Sequence, residues 1–452
     1  MAKKKQIELT IEEKLQNALV PKEEQPYKIP SNWCWSYWKY CGKFIAGNGF
    51  KNIYQGFTQY DIPYYKVGSL KFCDEGNYLI DETNTINEEI RTKLKAVKIP
   101  VNSIIFAKIG EAIKLNRRCL NKIECCIDNN LMAFISEKYF YKYIFYWTKS
   151  LNFYELTNAT TVPALRKTDL ENIPIPLPPL NEQQRIVNRI ESLFAKLDRV
   201  KELIENTLAQ FEQNKMAILH KAFIGELTAK WRKENNIDLS SWEKIKLGKV
   251  LLPMQTKKPT GQFFRYIDID AIDNKRQIVK APKLILTEKA PSRASRGVET
   301  GNILFSMVRP YLKNIAQIDS DLSDCIASTG FYVCRCKPEL NSRFLYYLFI
   351  FDKTIDYLMQ FMKGDNSPSI RKDDLLNMKI DLPTIEEQQE IVNILDNLLA
   401  KYNKIKNLEQ QLEKIELLKK AILAKAFRGE LGTNNPDEES AENLLKEILA
   451  EK

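Results

Sequence analysis

Leu177-Pro178-Pro179-Leu180-Asn181-Glu182-Gln183-Gln184-Arg185-Ile186-Val187-Asn188 returns in the same chain as Leu382-Pro383-Thr384-Ile385-Glu386-Glu387-Gln388-Gln389-Glu390-Ile391-Val392-Asn393, 205 positions later. The likeness continues through Ala195-Lys196 and Ala400-Lys401. It closes on Lys221-Ala222-Phe223-Ile224-Gly225-Glu226-Leu227 and Lys425-Ala426-Phe427-Arg428-Gly429-Glu430-Leu431, now 204 apart. A period of about 200 residues is far too long for a solenoid. It implies two domain-sized halves, able to present two similar surfaces.

Each copy reads as a long helix. Leu-Pro-Pro and Leu-Pro-Thr stop the preceding chain and open it. In the first copy Ile186, Ile190, Leu193, Leu197, Val200 and Ile204 step by four and three in alternation, a heptad seam. No Pro or Gly interrupts the run from Asn181 to Phe223. Gly225 and Gly429 fall where a helix C-cap is expected. The second seam runs through Ile391, Leu395, Leu398, Tyr402, Ile405, Leu408, Leu412 and Ile415. One residue is missing from it between Ile405 and Leu408, so a stammer is expected there. Two such stripes suit an antiparallel helix pair, a rod between two globular domains. The bland alternative is two helices in separate cores.

The expected organisation is an N-terminal segment (1–26), a globular half (27–175), a spacer helix and linker (176–239), a second half (240–380), a second spacer helix (381–431) and a tail helix (432–452). The fold class is mixed α+β. Each half opens on a tryptophan, in Pro30-Ser31-Asn32-Trp33 and Leu239-Ser240-Ser241-Trp242. Each has an apolar strand leading to a basic turn, Ser103 to Gly110 and Asn302 to Pro310. An aromatic helix follows, Tyr139 to Trp147 and Phe344 to Phe351, whose rings read as core. Each half closes on a third shared stretch, Pro163-Ala164-Leu165-Arg166-Lys167 and Pro368-Ser369-Ile370-Arg371-Lys372. Residues 43–100 and 250–298 share little pattern, which suggests one scaffold reading two different ligands.

The formal net charge is +10, and it is concentrated. Residues 27–175 hold 20 basic and 14 acidic side chains, and 240–380 hold 23 and 15, whereas 381–452 is acidic. Basic globular halves suit a polyanion, although ordinary solvated lysine gives the same sum. Nine cysteines, an odd number without zinc-knuckle spacing, suit reduced thiols and no structural metal. The longest apolar run, Phe344 to Phe351, is too short to span a bilayer. With no secretory leader legible, a cytoplasmic protein is expected.

Chemistry is not evident. The single histidine, His220, aligns with Ala424 and cannot serve a repeated site. No Gly-x-x-x-x-Gly-Lys-[Ser/Thr] phosphate loop occurs. Asp61-Ile62-Pro63-Tyr64 echoes the Asp-Pro-Pro-Tyr of amino-methyltransferases but lacks its first proline. Phe44-Ile45-Ala46-Gly47-Asn48-Gly49 echoes a glycine-rich cofactor loop with the wrong spacing. Asp268-Ile269-Asp270 lacks the basic partner of a nuclease site.

The two Leu-Pro-x-x-x-Glu-Gln-Gln helices, the two Lys-Ala-Phe-x-Gly-Glu-Leu ends and the two Pro-x-[Leu/Ile]-Arg-Lys stretches together resemble the specificity (S) subunit of type I restriction–modification systems. The resemblance implies two target recognition domains, each reading one part of a split, asymmetric double-stranded DNA sequence, with the helices as spacer. It implies docking of methyltransferase (M) subunits, two copies on the two helix repeats, and of restriction (R) subunits through the assembly. S-adenosylmethionine, ATP and Mg would belong to those partners, leaving this chain non-catalytic and without a cofactor. It also implies a circular, pseudo-twofold organisation, to which Val20-Pro21-Lys22 and Ser440 to Lys452 conform loosely. The alternatives are a coiled-coil protein-binding adaptor and a fused DNA methyltransferase.

Small hydroxyl and amide groups beside Arg-Lys suit phosphate and base-edge contacts. The candidate DNA contacts are Lys108, Lys114, Thr160, Thr161, Arg166 and Lys167 in the first half. In the second they are Arg309, Lys313, Asn366, Ser367, Arg371 and Lys372. The competing reading of the Arg-Lys stretches is helix capping by Thr168 or Asp373.

Overall fold

The computed structural model describes residues 9–157, 162–403 and 406–451. Thr160, Thr161 and Ile405 lie outside them, as does the Tyr402 side chain, so the expected stammer is not described. The chain divides into two compact units, Met1–Glu202 with Gln411–Lys452, and Leu203–Gln410.

The first unit contains helix α1 (Ile11–Ala18), strands β1 (Cys34–Tyr37), β2 (Gly42–Ala46), β3 (Ile62–Tyr65) and β4 (Thr85–Ile86), and helix α2 (Glu88–Leu94). Strands β5 (Ile104–Ala107), β6 (Arg118–Leu120), β7 (Cys126–Ile127) and β8 (Leu131–Ser136) follow, then α3 (Tyr141–Ser150), α4 (Lys167–Glu171) and β9 (Pro174–Leu177). The long helix α5 (Leu180–Phe223) begins here. Strand order in the main sheet is β2-β8-β5-β6, and a smaller sheet runs β4-β3-β7. Ile104-Ile105-Phe106-Ala107 is buried along its length, as an unbroken apolar run in a central strand requires. Trp38 packs edge-on with Phe44 and Trp147 and tilted against Phe134 around the same core.

The second unit contains helix α6 (Ala229–Glu234) and strands β10 (Glu243–Lys246), β11 (Leu251–Leu252), β12 (Phe263–Ile267), β13 (Ile272–Asp273), β14 (Ile278–Val279), β15 (Lys283–Leu286) and β16 (Ala294–Gly297). It continues with β17 (Ile303–Ser306), β18 (Ile315–Gln317), β19 (Ile326–Ser328), β20 (Phe331–Cys336), α7 (Ser342–Ile350), α8 (Asp352–Met359), α9 (Lys372–Leu376), β21 (Lys379–Leu382) and α10 (Ile385–Asn403). Its main sheet is β11-β20-β17-β18 and its second sheet β15-β12-β19-β16. The remaining helices are α11 (Lys406–Ala426) and α12 (Ala441–Ala450).

The two units repeat one plan. Their main sheets have the same order, and each frames its half with an antiparallel pair, β1·β9 and β10·β21. Each stretch without common sequence pattern nevertheless contributes one strand, β3 or β12, to a further match. Strand β3 runs parallel to β7 through Tyr64↔Cys126, and β12 parallel to β19 through Tyr266↔Ile326. The divergence therefore sits on the flanks: β4 in one unit, β15 and β16 in the other.

The apolar stripes have two partners. Ile186 and Ile190 are fully buried in the core of the first unit beside Trp33, Tyr143 and Leu423. Ile391 and Leu395 are buried with Leu219 and Ala222 in the second. Val187 and Val392 widen the stripe at each helix start. Beyond that it thins: Leu193, Leu197, Leu398, Leu408 and Leu412 are half-buried, whereas Ile204 is buried. Val200 departs from the expected seam. It is 46% exposed, because the helix that α5 meets in this unit contributes charge rather than an apolar face here. Lys419 donates to Asp198, Lys201 lies 3.9 Å from Glu416, and the Lys419 ammonium covers the Phe194 ring at 5.3 Å. The rising and falling residue numbers make α5 and α11 antiparallel within this unit.

The decoys resolve into framework. Pro63 and Tyr64 are buried in β3, Phe44 to Ala46 are the last residues of β2, and His220 lies against Phe351 with ring centroids 6.0 Å apart. Among the described residues no helix is long and apolar enough to cross a membrane, and no group of three or more His, Cys, Asp or Glu could hold a metal ion.

Candidate nucleic-acid interface

The repeated Glu-Gln-Gln motif builds the frame that carries the loops. In the first unit the buried Glu182 carboxylate accepts from Trp33 Nε1 at 2.8 Å, Asn434 Nδ2 at 3.0 Å and Thr433 Oγ1 at 3.3 Å. In the second, Glu387 accepts from Trp242 Nε1 at 2.9 Å, Thr228 Oγ1 at 2.6 Å and the Arg232 guanidinium. Gln183 Oε1 accepts the Phe140 N–H at 3.2 Å, and Gln388 Oε1 accepts the Asn341 N–H at 2.8 Å. These amides hold the start of the aromatic helices α3 and α7. About two turns further along, Glu191 pairs with Lys142 at 2.8 Å, and Asp396 with Arg343 at 2.9 Å. The tryptophans, the motif and the aromatic helices were separate signals in the sequence; these contacts join them.

The chain after each Lys-Ala-Phe-x-Gly-Glu-Leu end completes a unit. Thr228 and Arg232 serve the second, Thr433 and Asn434 the first. The C-terminal segment is further tied by Arg185, which donates to both Glu438 carboxylate oxygens at 2.7 Å. Asn32 Nδ2 donates to the Asn435 carbonyl at 3.0 Å, and α12 packs on α1 with Lys14 donating to the Leu449 carbonyl at 3.4 Å. The circular organisation thus has a physical basis within the first unit. Burial holds the Glu182 carboxyl above the ordinary range against its donors, whereas the Arg185 contact holds Glu438 below it.

On this frame two of the shared stretches converge in each unit. In the first, the turn after β5 bridges the closing stretch through Ile109↔Ala164. Gly110 N–H donates to the Pro163 carbonyl at 2.8 Å and Leu165 N–H to the Lys108 carbonyl at 2.8 Å. In the second, Val308 bridges Ser369, Arg309 N–H donates to the Pro368 carbonyl at 2.8 Å and Ile370 N–H to the Met307 carbonyl at 3.0 Å. The register makes Arg309 the counterpart of Gly110, and Met307 that of Lys108. Lys363 and Ser369 exchange both backbone hydrogen bonds at 3.0 Å. The exposed loop they close carries Asp365, Asn366 and Ser367, and the Arg309 guanidinium donates to the Asn366 carbonyl at 2.8 Å.

Arg309 has φ +48° and ψ +61°, left-handed backbone that glycine adopts freely. Its counterpart Gly110 has φ +80°. A non-glycine residue there costs about 1–2 kcal/mol. Lys313 of the same turn is left-handed as well, with φ +50°; Arg309 differs from it in being exposed beside the 364–367 loop.

The other candidates separate. Arg166 and Arg371 are exposed at the N-cap positions of α4 and α9, with Lys167 and Lys372 exposed in the first turn. Capping of α9 falls to Asp374, not Asp373: its carboxylate accepts the Arg371 N–H at 2.7 Å. Thr168 is exposed and makes no cap contact to α4. Lys108 is half-buried. Lys114 pairs with Glu111 at 2.7 Å, which holds its ammonium above the ordinary lysine range, and lies over Tyr154. Lys313 is a poor candidate. It is drawn in to the Ile350 carbonyl at 3.1 Å and to Asp352, so it caps the end of α7.

A family profile described as "Type I restriction modification DNA specificity domain" matches residues 52–210 and 242–417. The chain is 28% identical over 342 residues to the type I restriction enzyme EcoDI specificity subunit of Escherichia coli, covering 68% of this chain and 76% of that one. It is 26% identical over 300 residues to the MjaVIII specificity subunit of Methanocaldococcus jannaschii, covering 62% and 67%. The fold matches a chain from a solved type I restriction–modification system at 20% identity, with TM-score 0.66 over 90% of this chain and 100% of that one. It also matches the HsdS subunit of Thermoanaerobacter tengcongensis at 20% identity, with TM-score 0.53 over 90% and 99%. Two matches to one DNA-specificity profile, which together span most of the chain, lead to one assignment: the chain belongs to the type I restriction–modification DNA specificity family, whose members are non-catalytic DNA-recognition subunits.

Proposed function

We propose that the chain reads an asymmetric, bipartite DNA target, one part with each globular half, and that the converging loops are the reading elements. The observation that carries this is the paired junction of Gly110 with Pro163 and Arg309 with Pro368. The same backbone joint recurs with different side chains, which suits two dissimilar half-sites on one duplex. Phosphate contacts from Arg166, Lys167, Arg371 and Lys372 would set the register, and Arg309 with the 364–367 loop would read base edges in the second half. The candidate residues Thr160 and Thr161, which precede Pro163 in the sequence as Asn366 and Ser367 precede Pro368, lie outside the described residues.

Family membership supports DNA and partner subunits in general; their number and docking site are part of the proposal. DNA methyltransferase subunits, in two copies on the two helix repeats, would bring S-adenosylmethionine and the catalytic site, and restriction subunits with ATP and Mg would join through the assembly. The site of action would be the cytoplasm, and 27–175 and 240–380 the two recognition domains. The test is to sequence methylated adenines in cells with and without this gene. One bipartite motif lost on deletion supports the reading, and unchanged methylation overturns it. Purified chain and methyltransferase subunit assayed singly and together separate this from a protein-binding adaptor: methylation must need both.

A further inference from the structure

We propose that Cys73 and Cys119 of the first unit form a peroxide-oxidisable thiol pair that closes reversibly to a disulfide. Their Sγ atoms lie 2.6 Å apart, well inside the contact distance of unbonded sulfurs. The backbone already brings them together. Cys73 bridges Leu79, Tyr78 bridges Leu120, and the Leu79 N–H donates to the Leu120 carbonyl at 2.8 Å. The 73–79 hairpin is thus laddered onto β6, which carries Cys119, and the two sulfurs need to close from 2.6 Å to about 2.0 Å to bond.

The pair is chemically unequal. Cys73 is half-buried and open to a small oxidant, whereas Cys119 is 2% exposed. Contact with Cys119 is the main influence favouring the Cys73 thiolate, and Lys149 and Arg117 add positive charge; burial and Asp74 oppose them. The same contact and burial push the Cys119 thiol up. An accessible thiolate beside a buried resolving thiol is the arrangement of a redox-sensitive pair. Elsewhere burial pushes Cys126 and Cys325 up to about 11 and Cys336 up to about 12, which leaves them protonated and slow.

The chemistry balances with hydrogen peroxide as oxidant. The Cys73 thiolate attacks one peroxide oxygen, the O–O bond breaks and, with one proton taken up, Cys73 sulfenic acid and water result. Cys119 sulfur then attacks Cys73 sulfur. The S–O bond breaks, and hydroxide leaves with the Cys119 proton as a second water. The two thiols lose two electrons and peroxide gains them; a dithiol returns them. The crosslink would staple the 73–79 hairpin to the strand that follows the Lys114 turn.

The experiment treats the full-length folded chain with hydrogen peroxide and maps its peptides without reduction. A Cys73–Cys119 linked peptide is expected, released by a dithiol, with Cys73 oxidised about tenfold or more faster than Cys126 or Cys325. In Cys119→Ser, a sulfenic-acid probe should label Cys73. Absence of the linked peptide from the wild-type chain, or oxidation of Cys73 no faster than of Cys126, overturns the proposal.

Discussion

Trp242 donates its indole N–H to Glu387 at 2.9 Å across 145 residues of chain, and the same carboxylate takes the Arg232 guanidinium, with the two side chains 8% and 0% exposed. Glu182 receives the indole of Trp33 in the same way, but with Thr433 and Asn434 in place of an arginine. This difference makes the two equivalent glutamates unequal. Glu387→Gln leaves a buried guanidinium without its counter-charge, a loss of about 3–5 kcal/mol. Glu182→Gln keeps an acceptor for Trp33 and removes a charge that burial disfavours, so its cost is one neutral hydrogen bond, about 0.5–1.5 kcal/mol. Urea unfolding of the two variants measures the contrast. Equal losses would mean that Arg232 contributes nothing as a counter-ion.

The C-terminal segment should loosen in acid. Arg185 holds the Glu438 carboxyl below its ordinary value of 4.5. A lowered carboxylate contributes its stability above the unfolded value and loses it as pH falls through the folded one. Undocking of 433–438 should therefore begin as pH drops below 4.5, and Glu438→Gln should remove that step. Proteolysis of the C-terminal segment across pH 3–6 reads it out; identical profiles for both chains would exclude Glu438 as the titrating group.

Gly225 and Gly429 end the two long helices with φ +80° and +74°. A Cβ on Gly225 would meet Leu239 Cδ1 at 2.4 Å, the far end of a side chain that can turn away. A Cβ on Gly429 would meet the Pro30 ring at 2.4 and 2.7 Å, and a proline ring cannot turn. Gly56, with φ +85° and open space around it, isolates the backbone strain, about 1 kcal/mol or slightly more. Alanine substitutions should destabilise in the order Gly56, Gly225, Gly429. Thermal unfolding of the three variants ranks them, and a Gly429→Ala chain as stable as Gly56→Ala would show that the Pro30 contact gives way freely.

The frame was legible in the sequence because it occurs twice. Residues with no individual signature, such as Trp33 and Glu182, gained meaning from their copies. The repeat did not say which face of the seam meets what. Ile186 and Val200 look alike in a heptad, yet one is buried against a globular core and the other lies beside a charged stretch of α11. The pairing of β3 with β7 and of β12 with β19 was hidden because each rests on two residue pairs of backbone bonding, which constrain side chains little. Lys313 reads as a free cation in the sequence. Its commitment to the Ile350 carbonyl and Asp352 depends on chain 37 and 39 residues away.

That commitment separates two residues of one turn. Lys313→Ala should leave DNA affinity unchanged and cost stability of about 1 kcal/mol or less, since Asp352 is itself half exposed. Arg309→Ala should weaken binding of the target by the assembled complex. A phosphate role would lower the salt slope by about one and affect all sequences equally, whereas a base-edge role would relax one position of the target. Titrations of both variants at several salt concentrations decide between these. Loss of affinity in Lys313→Ala alone would reverse the assignment.

Arg309→Gly is the sharper test, because strain and function then move in opposite directions. The backbone at Arg309 is left-handed, and its counterpart in the other unit, Gly110, also has positive φ although its ψ of −174° differs. Glycine would release strain of about 1–2 kcal/mol, partly offset by the lost donation to the Asn366 carbonyl, a net hydrogen bond of about 0.5–1.5 kcal/mol. The variant should therefore unfold at the same or a slightly higher denaturant concentration while its DNA affinity falls. Binding lost together with stability would mean that Arg309 supports the 364–367 loop rather than touching DNA. Unchanged binding would leave the strained conformation without a functional reason.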